Sequence, residues 1–260
     1  YEMNQRDWSS DVCSSDLTTR GSLNATLEKA RLLTDKKITL EDVKKWRLEN
    51  ANKETAEKAK AVLEEADLVL TVGPSMRQLL QSKLPGNESK VHFIFSGFDA
   101  KKLNKAQQFE QDRFSIAYVG TMGTGYPYET VKQALVHLNE RSVQMDFILA
   151  GKIDPIVLKN LKEAENDHLR IIHKGHITHD EALGLMKGSN VLLLCLPFNT
   201  LSAIFVSGKL LEYIASGTPI AAVVDSESDA AVLIRDHQAG QIFAQNEAEE
   251  LSNFIQKQLA

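Results

Sequence analysis

Ser207, Gly208, Lys209 and Glu212 stand close together in the chain, and their types and spacing suit an anion that carries a sugar. Gly217 and Pro219 are helix stop signals, so a short helix is predicted from about Lys209 to Ser216, opening after Ser207-Gly208. The first amides of such a helix lack internal partners, and together with the helix dipole they favour a negative charge. Gly208 permits close backbone approach there, and Lys209 adds a full positive charge. One turn along, Glu212 lies near the same end, where a carboxylate accepts hydrogen bonds from a pair of sugar hydroxyls. The stretch also reads as an ordinary amphipathic helix with its lysine and glutamate in water.

Strands on both sides would hold this group in place. Apolar runs at 191–196 and 219–224 read as buried parallel strands on either side of the helix, which puts the candidate phosphate seat at a strand-to-helix crossover. The surrounding sequence continues the alternation. Strands are predicted at 114–119, 145–150, 169–173, 191–196, 220–224 and 241–243, and helices at 128–140, 155–166, 179–187, 209–216, 228–236 and 248–259. This is the pattern of an α/β protein with a Rossmann-like doubly wound parallel sheet, whose ligands bind beyond the carboxyl ends of the strands.

Further candidates fall on that edge. Gly120-Thr121-Met122-Gly123, continuing to Gly125, follows the first of these strands and reads as a loop wrapping a diphosphate, or as a plain glycine-rich turn. It has neither the helix-opening dinucleotide fingerprint nor the lysine-serine/threonine ending of a P-loop. Gly151 and Lys152 follow the second strand, and Ile177, after the third, offers an apolar grip on a flat base. His173, His176 and His179 lie on a strand-to-loop-to-helix path that does not converge them, so no metal site is expected. Cys195, within a strand, reads as an inert core thiol, and no Ser/His/Asp hydrolase arrangement is present.

Composition excludes several classes. The chain has 260 residues, 43% hydrophobic and 25% charged, with a net charge of −5, so it is globular and lacks the basic balance of a nucleic-acid binder. Two cysteines make no disulfide framework, and no apolar run approaches the ~20 residues of a membrane span.

Towards the front, 40–66 reads as a long charged helix, and 68–72, 75–83 and 91–95 as a strand-helix-strand unit too small to be a domain alone. The polar stretch 100–113 reads as a linker. Residues 7–17, DWSSDVCSSDL, resemble the conceptual translation of a DNA-sequencing adapter, so 1–17 are set aside as an artefact expected to be disordered.

With these residues in view, the region from Ala66 onward resembles the GT-B glycosyltransferases, specifically the family 4 or group 1 class. The signals are ADLVLTVGPSM at 66–76, SGFD at 96–99, YVGTMG at 118–123, ILAGK at 148–152, HKGHITHDEALGLM at 173–186 and GKLLEYIASGTPI at 208–220. The resemblance implies two Rossmann-like domains: 18–99 as the remnant of an acceptor domain, 100–113 as the linker, and 114–260 as the nucleotide-sugar donor domain. It implies that Gly120 to Gly123 face the sugar and diphosphate, Ile177 the base, Ser207, Gly208 and Lys209 the phosphates, and Glu212 the ribose, with Gly151 and Lys152 alongside. Lys209 and Glu212 carry the reaction in this reading, without a metal or separate cofactor.

The chain departs from the class in two places. Ile204 stands eight residues before Glu212, where the class often has another glutamate, and Thr121 stands where relatives often place an arginine. The implied function is transfer of a sugar from a UDP- or GDP-linked donor to a glycan or lipid-linked acceptor in cell-surface polysaccharide or glycoconjugate synthesis. The implied setting is the cytoplasm, with peripheral contact at the inner face of the membrane made by the absent acceptor domain, and a truncated chain could be inactive alone. Two alternatives use the same architecture: a nucleotide-sugar 2-epimerase and a degenerate donor domain that only binds.

Overall fold

The structure, a computed structural model, describes residues 57–259. The expectations for 1–17 and for most of the charged helix at 40–66 lie outside the described residues. Of the two units into which the chain divides, the one ending at Asp67 is described from residue 57, where a helix spans 57–65 and carries an i,i+4 pair of Lys60 with Glu64 at 3.6 Å.

The second unit, 68–260, opens with the small strand-helix-strand segment: β1 (Val69–Thr71), α1 (Pro74–Gln81) and β2 (Val91–Phe93). The two strands pair in parallel, Val69 opposite Val91 and Thr71 opposite Phe93. Only one residue in each strand is buried. Residues 100–113 are more than a tether. They contain α2 (Ala100–Lys105), started by the Asp99 side chain accepting from the Lys102 amide, and Leu103 is buried. The Lys187 ammonium donates to the carbonyls of Leu103 and Ala106. The stretch read as a linker therefore holds a short helix that sequence periodicity missed, anchored by one buried leucine and by a distant lysine on its last carbonyls.

The remainder runs β3 (Phe114–Val119), α3 (Tyr128–Glu140), β4 (Met145–Ala150), α4 (Pro155–Lys162), β5 (Leu169–Gly175), α5 (His179–Gly188), β6 (Val191–Cys195), α6 (Thr200–Ala203), α7 (Gly208–Ser216), β7 (Ile220–Val223), α8 (Asp229–Asp236), β8 (Gly240–Phe243) and α9 (Ala248–Lys257). The six strands are all parallel, in the order β5-β4-β3-β6-β7-β8. The doubly wound sheet is as expected, and the short α6 is an addition to the predicted elements.

Alternation along the strands divides the core in two. Ile116, Phe147, Leu149, Leu193 and Val223 face one way with residues of α3, α4 and α9. Ala117, Ile148, Leu192, Leu194 and Ala222 face the other with residues of α5, α7 and α8. Because both faces are covered, these strands read as continuous apolar runs, which is why they were legible. The chain winds outward from β3 in one direction and from β6 in the other, so the switch point lies between those two strands.

Candidate functional site

At the switch point the strands part. β3 and β6 pair only at Ile116–Val191 and Ala117–Leu192. Beyond those pairs the Val119 amide donates to the hydroxyl of buried Tyr213 on α7, at 2.9 Å, in place of a neighbouring strand. Such a divergence at the carboxyl edge is where ligands of open α/β sheets bind.

Glycines line the edge. Gly120 has φ 134° and Gly151 φ 119°, a region L side chains rarely adopt. A side chain at Gly151 would start 2.2 Å from the Gly120 carbonyl oxygen, so the two loops lie against each other with no room for a Cβ. The Gly120 amide donates to the Ala150 carbonyl at 2.8 Å and the Gly151 amide to that of Gly175 at 2.7 Å, extending the sheet pattern past the named strands.

The amino end of α7 is built as expected and left open. Ser207 is the N-cap residue, yet its side chain makes no capping bond, and its hydroxyl oxygen is buried with no hydrogen-bond partner. Around Gly208 the position of a side chain is empty space, so nothing covers the first turn there. Gly217, at φ 75°, ends the helix as the sequence predicts.

Lys209 does not stand free over the crevice. Its ammonium reaches under the glycine loop, 3.2 Å from the Tyr118 hydroxyl, 4.3 Å from the Tyr118 ring centroid, and 3.0 Å from where a Gly120 Cβ would sit. Gly120 thus makes room for a cation as well as for a turn. Tyr118 donates its own proton to the Thr121 carbonyl at 2.6 Å, and burial pushes its phenol pKa up, so it stays neutral. Burial lowers the Lys209 pKa to about 8. No carboxylate pairs with it among the described residues. A desolvated cation without a counter-charge is suited to a ligand's anion.

Glu212 is shielded on α7, with 18% of its side chain exposed, and its Oε1 lies 2.7 Å from His179 Nε2 at the start of α5. Since a carboxylate only accepts, that ring nitrogen carries the proton and donates. Ile177 is half-buried against the core on the α5 and α7 side, so much of its apolar surface already faces inward. Thr121 is exposed, Gly123 borders open space, and Lys152 is exposed at the end of β4.

Met122 requires correction. Its side chain is fully buried in the core, and its amide and carbonyl bond to the Lys152 carbonyl and the Asp154 amide. A one-residue parallel bridge between Met122 and Ile153 continues the sheet through what reads as a glycine-rich loop, so this side chain cannot face a donor. Sequence reasoning also missed Tyr118, Tyr213 and the bond between His179 and Glu212. The strand pattern marks Tyr118 as a core residue, and the helix start at Thr178 places His179 at the ligand edge.

A hollow of about 650 Å³, lined in part by Phe198, Asp225, Ser226, Ile242 and Glu247, borders edge strand β8 instead. Arg235 in its lining is tied to the Ser226 carbonyl, and no lining residue has an orphaned buried hydroxyl like that of Ser207, so the candidate site is placed at α7.

No protein-family model and no curated protein sequence matches this chain. Solved structures do resemble it. WaaG, a glycosyltransferase involved in lipopolysaccharide biosynthesis, superposes with a TM-score of 0.59 at 15% identity, covering 89% of this chain and 63% of its own. A glycosyltransferase from Rickettsia africae gives 0.59 at 16%, covering 77% and 56%. Anabaena HepE, solved with UDP and glucose, gives 0.55 at 16%, covering 75% and 54%. The fold is therefore of the GT-B type, and the chain spans less than two thirds of each of these structures.

Proposed function

We propose that residues 114–260 form the donor-binding half of a glycosyltransferase that moves a sugar from a nucleoside-diphosphate sugar to a glycan or lipid-linked acceptor. One observation carries the reading: the helix at the switch point of the parallel sheet starts uncapped, at a serine whose buried hydroxyl has no partner, and two residues on carries a lysine whose ammonium has no carboxylate partner among the described residues. A diphosphate would satisfy all three. The GT-B fold and the UDP and glucose in the HepE structure support this choice of ligand.

In this mechanism the departing nucleoside diphosphate gains charge as the glycosidic bond breaks. The α7 amides and Lys209 stabilise that charge because they are held in place and partly dry before the reaction begins. Glu212 holds the ribose. Residues 18–99 are the remnant of the acceptor domain, and no general base is assigned within the chain. Synthesis of a cell-surface polysaccharide at the cytoplasmic face of the membrane is the setting we favour; the involvement of WaaG in lipopolysaccharide biosynthesis supports the polysaccharide part of it.

Calorimetric titration of UDP and GDP into the wild type, Lys209→Ala and Glu212→Ala tests the assignment. One nucleotide binds the wild type and each variant weakens it; equal binding by all three proteins would remove both residues from the site.

A further inference from the structure

The assigned site leaves one contact unused: the hydrogen bond between His179 on α5 and Glu212 on α7, side chains 33 positions apart in sequence. A glutamate on a helix surface has several rotatable bonds, and fixing it on a ligand opposes binding through lost rotamer freedom. Here one carboxylate oxygen is held before any ligand arrives, while the other makes no hydrogen bond among the described residues.

The residue holding it is itself fixed. His179 is the first residue of α5, directly after a capping box in which the Thr178 side chain accepts from the Glu181 amide and the Glu181 carboxylate accepts from the Thr178 amide and hydroxyl. The backbone that carries the ring is therefore pinned at both bonds of the box. The ring is 49% exposed and Glu212 18%, so the histidine forms the outer wall and the carboxylate the inner one.

Building on the donor-site reading, we infer that His179 is a positioning residue that presents Glu212 to the ribose diol and so selects ribonucleotides over deoxyribonucleotides. The free carboxylate oxygen accepts from one hydroxyl, and the face of the held oxygen left open by His179 accepts from the other. The ligand class is a ribonucleoside diphosphate with both hydroxyls present.

The test titrates UDP and GDP, each beside its 2′-deoxy counterpart, into the full chain as wild type, His179→Ala and His179→Gln. The wild type prefers the ribonucleotide by about tenfold or more, the effect of one hydrogen bond to a charged group. His179→Ala loses most of that preference, weakening the ribonucleotide more than the deoxy compound, which has only its 3′-hydroxyl to place on Glu212, and His179→Gln, which keeps a donor, restores part of it. A preference that survives His179→Ala, or a loss that falls equally on both sugars, would overturn the inference while leaving the phosphate seat standing. A wild type that binds none of the four nucleotides would overturn the donor reading, and this inference with it.

Discussion

Two helices open at the same edge of the sheet, and their first turns are opposites. At α5 the Thr178 side chain and the Glu181 carboxylate close the end with reciprocal bonds. At α7 Ser207 holds the equivalent position with equivalent chemistry, yet its hydroxyl caps nothing and lies buried without a partner. Ser228 at the start of α8 behaves like Thr178, accepting from the Ala231 amide. Serine and threonine at this position normally cap, contributing about 1 kcal/mol. Forgoing that contribution at α7 alone of the three leaves donors for something from outside. Four other buried polar atoms among the described residues also lack a partner, Nε of Arg77 and of Arg113, Oγ of Ser115 and Oδ1 of Asn139; what sets Ser207 apart is that it stands at a helix start, two residues before Lys209.

The contrast can be broken most strongly at Lys209. Lys209→Met should weaken UDP or GDP binding by about 100-fold, the loss expected for charge-assisted bonds to phosphate. The same change should stabilise the ligand-free protein. A lysine whose pKa falls from 10.5 to about 8 opposes folding, an effect of roughly 3 kcal/mol at ~1.4 kcal/mol per pH unit and smaller where some exposure remains. Thermal unfolding with and without nucleotide reads both effects. The sign with pH follows from linkage. Below about 8 the ammonium is charged in both folded and unfolded chains and the penalty is complete. Between about 8 and 10.5 the folded chain holds fewer protons, so the stability gap between wild type and Lys209→Met narrows as pH rises. Nucleotide affinity that depends on this cation weakens over the same rise.

The next effect concerns a helix start capped from a distance. Gly73 gives α1 no side-chain cap, and the carboxylate of Asp229, 4% exposed in the first turn of α8, accepts from the Ser75 amide at 3.1 Å and the Ser75 hydroxyl at 2.6 Å. Asp229→Ala leaves both donors behind and should lower stability by about 2 kcal/mol in urea unfolding, with faster hydrogen exchange over Pro74–Gln81. Thr178→Ala should lower stability by about 1 kcal/mol and leave phosphate affinity unchanged, since that end is already closed. Ser207→Ala should do the reverse: stability changes by less than ~0.5 kcal/mol because no bond is lost, while nucleotide binding weakens several-fold.

Part of this was legible in the sequence, for physical reasons. Strands covered on both faces are unbroken apolar runs, so 114–119 and 145–150 were read with their observed bounds. The α7 stop at Gly217 and its open start were legible because both are local backbone chemistry. α2 was not, since a single buried leucine and a lysine 81 residues later hold it. Nor was the burial of the Lys209 ammonium, which depends on Gly120 and Tyr118 approaching from another strand. Met122 misled because glycines on both sides suggested a loop where the sheet in fact continues. Asp229 capping α1 from 154 positions away leaves no local trace at either end.

The most direct measurement follows backbone amide resonances of the nitrogen-15-labelled chain as inorganic pyrophosphate is added. Gly208 and Lys209 are expected to move together with Gly120, while His179 and Asp180 at the closed start of α5 stay in place. Movement confined to α5 or to the β8 edge, with Gly208 and Lys209 unchanged at saturating pyrophosphate, would contradict it.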